Sequence, residues 1–157
     1  MSNYVTAIGL DVHARSIKAC ALNPMTGEVR RASFGYDPAA VAEWALGFES
    51  PMAVYESGAT GFHLCRALRA LGLGCAVGAV SKMQRPAADR GKTDRRDAEF
   101  LARLLATRNV AEVWVPDGRT EAARDLSRAL ADARDDLQRA KQRMSKFPLR
   151  LCFVKRI

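Results

Sequence analysis

Three short, β-prone segments follow one another at the start of the chain with very little sequence between them. They occupy residues 4–13, 16–23 and 28–36. The stretch NPMTGE between the second and the third contains the Pro and Gly that are typical of a tight turn. Because connections this short join antiparallel neighbours, the sequence predicts a meander of three antiparallel strands.

The rest of the chain alternates between helical and extended apolar patterns. The predicted elements are a helix at 38–48, a strand at 52–57, a helix at 60–71 ended by Gly72, a strand at 75–80, a helix at 93–108, an extended link at 112–116 and a long helix at 119–147. Three antiparallel strands followed by β-α-β-α units predict an α/β protein with a mixed sheet covered by helices. This is the element order of the ribonuclease-H-like fold, here with a long C-terminal helix.

Basic residues are concentrated in the second half of the chain. The net charge is +8, yet residues 1–81 hold six basic and six acidic side chains. The whole excess therefore lies in residues 82–157, and from Arg139 onward there are seven basic and no acidic residues. Such one-sided charge indicates a polyanionic partner, with nucleic acid before a membrane surface. A solvated helical face is the alternative.

Cysteine usage and hydropathy predict a cytoplasmic protein. Cys20, Cys65, Cys75 and Cys152 form no C-x-x-C pair, and we expect mostly buried, reduced thiols. The longest apolar runs are shorter than the ~20 residues that span a bilayer. We therefore expect no membrane partner, and the N-terminal residues lack the pattern of a signal peptide.

Four acids occupy positions that point to chemistry. Asp11 interrupts an apolar strand, where an ionised carboxylate needs compensation. Glu56 ends another apolar strand just before a turn, a place where open sheets put ligands. Asp94 and Asp97 are three residues apart and therefore share one face of a helix. If the first and fourth strands are neighbours and the third helix crosses their ends, the four carboxylates converge on a site for Mg²⁺ or Mn²⁺.

Each acid also has an ordinary explanation. Asp94 and Asp97 in the first turn of a helix, with Thr93 as its N-cap, suit the helix dipole. Glu56 could be a strand-end charge, and Asp11 could pair with an arginine. His13, two residues after Asp11 on the same strand face, could line the site or cap the strand. The four acids together favour the metal site.

Three stretches carry a family resemblance: GLDVHARSIKAC, VYESGATGFHLCRAL and GKTDRRDAEFLARLL. Together they resemble the N-terminal domain of the DEDD transposases of the IS110 insertion-sequence type. That family includes the Piv-type DNA invertases, and its N-terminal domain is similar to the RuvC Holliday-junction resolvases. The resemblance covers roughly residues 5–144.

The resemblance implies that Asp11, Glu56, Asp94 and Asp97 are the catalytic, metal-binding acids of the family. It implies a ribonuclease-H-like fold and DNA strand cleavage and exchange, guided in at least some members by a structured RNA. It also implies a second domain with a nucleophilic serine, which we expect this chain to lack. We accordingly predict a catalytic domain at 1–115, a long helix at 116–148 and a tail at 149–157.

Basic side chains surround the predicted acid pair of the third helix. We expect phosphate binding by Lys82, Arg85, Arg90, Lys92, Arg95 and Arg96. The alternative is that the loop residues among them only balance the clustered acids on an exposed segment.

Apolar residues recur along the last helix at alternating spacings of four and three. They are Leu126, Leu130, Ala133, Leu137, Ala140, Met144 and Phe147. This is an a/d heptad seam, which predicts a coiled coil and a homodimer through this helix. Packing of the same stripe on the domain's own core is the alternative. The two tryptophans, Trp44 and Trp114, are predicted to be core residues.

The sequence thus favours the N-terminal catalytic domain of a metal-dependent DNA transposase or site-specific recombinase. Two alternatives remain open. One is an autonomous Holliday-junction-type nuclease that uses the same four acids. The other is a catalytically silent module that binds nucleic acid and dimerises.

Overall fold

The computed structural model describes residues 4–56, 58, 60–79 and 94–150, with the side chains of residues 94–96 and 150 outside that description. The chain divides into two compact units, Met1–Val115 and Pro116–Ile157. The elements are β1 (Thr6–Val12), β2 (Ser16–Leu22), β3 (Val29–Gly35), α1 (Pro38–Leu46), β4 (Pro51–Glu56), α2 (His63–Ala70), β5 (Gly74–Gly78), α3 (Asp94–Ala106) and α4 (Gly118–Arg150).

The first unit is built on a five-stranded mixed sheet with the strand order β3-β2-β1-β4-β5. Strands β1, β2 and β3 form the predicted antiparallel meander. Strand β4 returns beside β1 in parallel, and β5 pairs with β4 in parallel. The predicted ribonuclease-H-like arrangement is therefore confirmed, and the condition that the first and fourth strands are neighbours is met.

Helices pack on both faces of this sheet. On one face, residues of α1 and α2 bury apolar side chains against Ile8, Leu10 and Tyr55. On the other face, α3 covers β1, β2 and β4 with two small clusters: Ala7, Val54, Ala76, Leu101 and Leu105 in one, and Cys20, Ala98 and Ala102 in the other. Cys20, Cys65 and Cys75 are buried, as predicted, and Cys152 lies outside the described residues.

Helix α2 begins three residues later than the sequence pattern predicts. Gly61 has a φ of 64°, and its amide donates to the carbonyl of Gly58 at 3.1 Å. A residue with this left-handed conformation cannot continue a right-handed helix, so the chain makes a turn before His63. The predicted end is confirmed, because Gly72 has a φ of 88° and the amides of Gly72 and Leu73 donate to carbonyls in the last turn.

The predicted extended link after α3 lies along the outer edge of β5. The amide of Val113 donates to the carbonyl of Val77 at 2.7 Å, and the amide of Ala79 donates to the carbonyl of Ala111 at 2.9 Å. The prediction that Trp114 is a core residue is wrong, since this residue is 64% exposed. Alternation explains it: Val113 and Val115 face inward along the extended segment, so Trp114 between them faces outward.

Helix α4 is the predicted long C-terminal helix, and it extends through Pro148 to Arg150. Proline lacks the N–H that would bond to the carbonyl four residues earlier, but this loss falls in the last turn. Taken by itself, α4 exposes Leu126, Leu130, Leu137, Met144 and Phe147 by more than half. No helix in the described part of the chain is long and apolar enough to cross a membrane.

The contact between α3 and β1 depends on Gly9. A Cβ atom at this position would lie 2.0 Å from the carbonyl oxygen of Ala98 and 2.5 Å from the amide nitrogen of Ala102. Both distances are far inside van der Waals contact, so only glycine allows the helix backbone to lie directly on the strand. The small residues Ala98 and Ala102 complete this close approach and are themselves buried.

We predict that Gly9→Ala destabilises the domain by about 1–3 kcal/mol, because the helix backbone must move to admit one methyl group. Urea unfolding followed by circular dichroism measures the change in the free energy of unfolding. Gly35→Ala is the matched control, since Gly35 also lies in a strand and a Cβ there meets nothing within 4 Å. Equal stability of the two variants would contradict the proposed contact.

Candidate functional site

Asp11 and Glu56 lie at the carboxyl ends of two neighbouring parallel strands. Asp11 is the next-to-last residue of β1, and Glu56 is the last residue of β4. In the pairing of these strands Leu10 is level with Tyr55. The same register continued by one residue places Asp11 level with Glu56. The structure thus puts two of the four predicted acids side by side across one strand spacing, which is ~4.8 Å.

Both acids project from the sheet face that α3 covers. Side chains alternate between the faces of a strand, so residues two apart share a face. Gly9, two residues before Asp11, contacts α3 directly. Val54, two residues before Glu56, belongs to the apolar cluster formed with Leu101 and Leu105 of the same helix.

Helix α3 brings its first turn to the same end of the sheet. Its middle, at Ala98 and Ala102, crosses β1 at Gly9. Its last turn lies near the start of the strand, because the hydroxyl of Tyr4 donates to the carbonyl of Leu105. The helix therefore runs opposite to β1, and its first turn points towards the end that carries Asp11. Asp97, which is partly buried, lies in that turn.

The fourth predicted acid, Asp94, begins α3, and its side chain lies outside the described residues. Among the side chains that are described, no three His, Cys, Asp or Glu residues form a group able to hold a metal ion. Strand register and helix direction place the backbone positions of the four acids at one end of the sheet. That these acids together bind a metal ion stays a prediction.

His13 contacts the first of these carboxylates. Its Nε2 atom lies 3.0 Å from Oδ2 of Asp11, whose side chain is only 18% exposed. With the proton assigned to Nε2, the imidazole donates to the carboxylate and fixes its orientation. The amide of His13 donates to the carbonyl of Ser16 at 2.9 Å, so the turn between β1 and β2 holds the backbone of this residue. Of the two sequence predictions for His13, lining the site is the one that this contact favours.

Arg31 of the edge strand fastens α3 to the sheet through Glu99, a contact that the sequence pattern did not reveal. Glu99 on the helix accepts from Arg31 of β3 at 2.5 Å and from Arg103, one helical turn later, at 2.7 Å. The hydrogen bonds from Arg103 and Arg31 hold the pKa of Glu99 below its ordinary value. Asp97 is two residues before Glu99, so this ion pair also fixes the turn that carries the predicted ligand.

Most of the predicted phosphate-binding residues cannot be placed. Lys82, Arg85, Arg90 and Lys92 lie outside the described residues, and the side chains of Arg95 and Arg96 do as well. The backbone of the last two belongs to the first turn of α3, next to the acid pair. Their contact with phosphate accordingly stays a prediction.

Comparison with known sequences covers nearly the whole chain. Residues 8–153 match the sequence profile of the DEDD transposases of the IS110 type, which is described as "Transposase". The chain is 40% identical over 149 residues to the "Putative transposase y4qE" of Sinorhizobium fredii. It is 33% identical over 149 residues to the "Transposase for insertion sequence element IS1533" of Leptospira borgpetersenii. Each alignment covers 91% of this chain but only 38% and 43% of the two relatives, so the chain spans about two fifths of their length.

We predict that Glu99→Gln destabilises the domain by about 1 kcal/mol or less at neutral pH, as expected for a partly exposed ion pair. Because the pKa of Glu99 is lowered in the folded state, its charge stabilises the fold above the ordinary carboxyl pKa, and this contribution is lost as the pH falls through the lowered value. The difference in unfolding free energy between the wild type and the variant should therefore shrink as the pH falls below the ordinary carboxyl pKa, and disappear once the pH is below the lowered pKa of Glu99.

Glu28→Gln is the matched control for this measurement. Glu28 also pairs with an arginine, Arg30 at 2.8 Å, but both residues lie at the start of the edge strand and hold no helix. Two results would contradict the role of Glu99. One is a loss of unfolding free energy no larger than that caused by Glu28→Gln, and the other is a loss that stays unchanged in acid.

Proposed function

Because the chain belongs to the IS110-type family of DEDD transposases, we propose that it is the N-terminal catalytic domain of a metal-dependent DNA transposase or site-specific recombinase. In this proposal the domain occupies residues 1–115 and takes part in DNA strand cleavage and exchange. The observation that carries the proposal is the level position of Asp11 and Glu56 at the ends of parallel strands β1 and β4, on the face crossed by α3.

The donor set fits a hard divalent cation. Asp11, Glu56, Asp94 and Asp97 offer carboxylate oxygens only, the ligands that Mg²⁺ and Mn²⁺ prefer. When bound, two such ions would stabilise the attacking and leaving oxygens of phosphodiester chemistry. The chain's own contribution is to hold the ligands in place: His13 orients the carboxylate of Asp11, and Arg31 fastens the helix that carries the acid pair.

DNA is the substrate in this proposal, and a structured guide RNA is a second nucleic-acid partner. The +8 charge and its concentration after residue 81 support polyanionic partners. The phosphate-binding role of Lys82, Arg85, Arg90, Lys92, Arg95 and Arg96 belongs to the same proposal. Both partners suit the predicted cytoplasmic location.

The second unit supports a homodimer. Helix α4 carries its heptad stripe on an exposed surface, and five of its large apolar side chains are more than half exposed in the helix taken by itself. Two copies of the helix would bury this stripe against each other as a coiled coil, in which the a and d side chains pack between the two helices. Residues 116–148 would then form the coiled coil, with 149–157 as a tail.

We predict that Asp11→Asn and Asp97→Asn each weaken Mn²⁺ binding by about tenfold or more, because each removes a charged ligand. Paramagnetic broadening of NMR signals measures the binding and locates it. In the wild type the broadening should centre on the ends of β1 and β4 and the first turn of α3. Asp132→Asn on the exposed surface of α4 is the control, with unchanged binding. If the NMR signals of these residues are not broadened in the wild type, the proposed metal site is wrong.

Cleavage assays with the same variants separate the proposal from its two alternatives. Metal-dependent cutting of a four-way DNA junction by the 157-residue chain alone, abolished by Asp11→Asn, would favour an autonomous nuclease. Salt-sensitive binding with neither Mn²⁺ binding nor cleavage would favour the silent binding module. Mn²⁺ binding at the four acids without junction cleavage is the outcome expected for a recombinase domain.

We predict that Leu137→Arg converts a dimer into a monomer, because it places a charge at an a position of the stripe. Analytical ultracentrifugation measures the mass of the wild type and the variant over a range of concentrations. Gln142→Arg adds the same residue outside the stripe of α4 and should leave the dimer intact. A monomeric wild type, or equal masses for both variants, would argue against the coiled coil.

A further inference from the structure

Lys18 lies in the same row of the sheet as the two strand-end acids. In the antiparallel pairing of β1 and β2 it is the direct partner of Asp11. In the pairing of β2 and β3 it is the direct partner of Ser33. Across the end of the sheet, the residues that lie level with one another are therefore, in order, Ser33, Lys18, Asp11 and Glu56. Lys18 is the neighbour of Asp11 on the side away from β4.

Lys18 also shares the face of the sheet on which the acids lie. Cys20, two residues further along β2, packs against Ala98 and Ala102 of α3. Because alternate residues of a strand share a face, Lys18 projects from the α3 side, as Asp11 does. It is partly exposed, so its side chain reaches solvent beside the acids.

The ammonium group is held by a neutral partner. Nζ of Lys18 donates to Oγ of Ser33 at 2.8 Å, on the edge strand β3. A hydroxyl takes one of the three N–H donors of an ammonium group and does not neutralise its charge. The contact directs the cation towards β3, so the positive charge stands to one side of the carboxylates.

We propose that Lys18 binds a phosphate oxygen of the substrate DNA strand, next to the phosphate at the four acids, and so guides the strand across β1, β2 and β3. This inference rests on the proposed function and extends it with a residue outside the acid set and the predicted basic loop. A lysine bound to phosphate acts as a point charge, which positions a strand without reading its sequence. Ser33 prepares the side chain for that contact by limiting its conformations before DNA arrives.

A purely structural role for Lys18 predicts different behaviour. Opposite charges directly across a strand pair stabilise a sheet, and Lys18 could serve only to balance Asp11. In that case its removal would lower the stability of the domain and would leave DNA affinity unchanged. A phosphate contact instead makes DNA affinity, and its dependence on salt, sensitive to this residue.

The test measures binding of a fluorescein-labelled DNA duplex by anisotropy, with Ca²⁺ in place of Mg²⁺ and over a range of KCl concentrations. Lys18→Gln should weaken binding about fivefold or more and reduce the slope of log K against log salt by about one phosphate contact. Lys18→Arg, which keeps the charge, should retain most of the affinity and the wild-type slope.

Arg30→Ala is the matched control. Arg30 lies on the neighbouring strand β3 but on the opposite face, because it pairs with the buried Ala21. The Arg30→Ala substitution also removes one positive charge from the sheet, three residues away from the row of Lys18 and Asp11, so an effect of total charge alone would appear in both variants. Equal losses for Lys18→Gln and Arg30→Ala, or an unchanged slope for Lys18→Gln, would overturn the proposal.

Two further comparisons distinguish a failure of this inference from a failure of the proposed function. A wild type that binds Mn²⁺ at the acids and binds DNA, with Lys18→Gln indistinguishable from it, would overturn the role of Lys18 alone. A wild type that binds neither would overturn both. An RNA duplex of the same sequence is titrated in parallel, and a loss confined to RNA would contradict the assignment to the DNA strand.

Discussion

The contact of α3 with β1 at Gly9 determines where this helix can hold its acids relative to Asp11 and Glu56. Helices that pack on sheets usually stand off by the length of their side chains, but here the helix backbone rests on the strand backbone. That closeness fixes the height of α3 above the sheet. The hydrogen bond from Tyr4 to Leu105 then fixes its direction, and the pairing of Glu99 with Arg31 fixes its sideways position. Three different contacts thus fix the position of α3 and, with it, the position of the turn that carries Asp97.

Electrostatic balance is the second requirement of this arrangement. Carboxylates gathered at one end of a sheet repel one another, and the repulsion opposes folding when no cation is bound. For Asp11 two groups lessen this cost: His13 donates to its carboxylate, and Lys18 is its partner across the strand pair. These two contacts lower the electrostatic cost of placing Asp11 at the end of the sheet.

The order of the elements and the antiparallel meander were predictable because they follow from local signals, whereas the adjacency of β1 and β4 was only a condition of the predicted site. Short turns require antiparallel neighbours, and helical spacing between apolar strands requires parallel ones. Local signals also identified Asp11 and Glu56, since a charge in an apolar strand stands out in any sequence. The late start of α2 was not predicted, because a helical pattern does not show that Gly61 adopts a left-handed conformation.

What the sequence did not reveal depends on contacts between distant residues. In the sequence alone Gly9 looks like an ordinary strand glycine, because its contact with α3 exists only in the folded structure. The partner of Arg31 is a glutamate on a helix far along the chain, and nothing near either residue predicts their pairing. The outward orientation of Trp114 follows from which neighbours face the core, and a tryptophan in an apolar segment gives no sign of it. These features are set by packing, which the local pattern of residues does not contain.

The backbone of residues 111–113 along β5 has a consequence for how the domain meets other molecules. It occupies the hydrogen-bonding edge of residues 77–79 at the end of that strand, so another chain cannot pair with the backbone there. At the opposite edge, β3 carries Arg30 on one face and Arg31 on the other, and charged side chains on an edge strand discourage a second copy from pairing edge to edge. Each edge of the described sheet therefore has a feature that opposes pairing with another strand. In the proposed function, assembly and nucleic-acid binding accordingly use the end of the sheet and the helices, through contacts made by side chains rather than by the backbone.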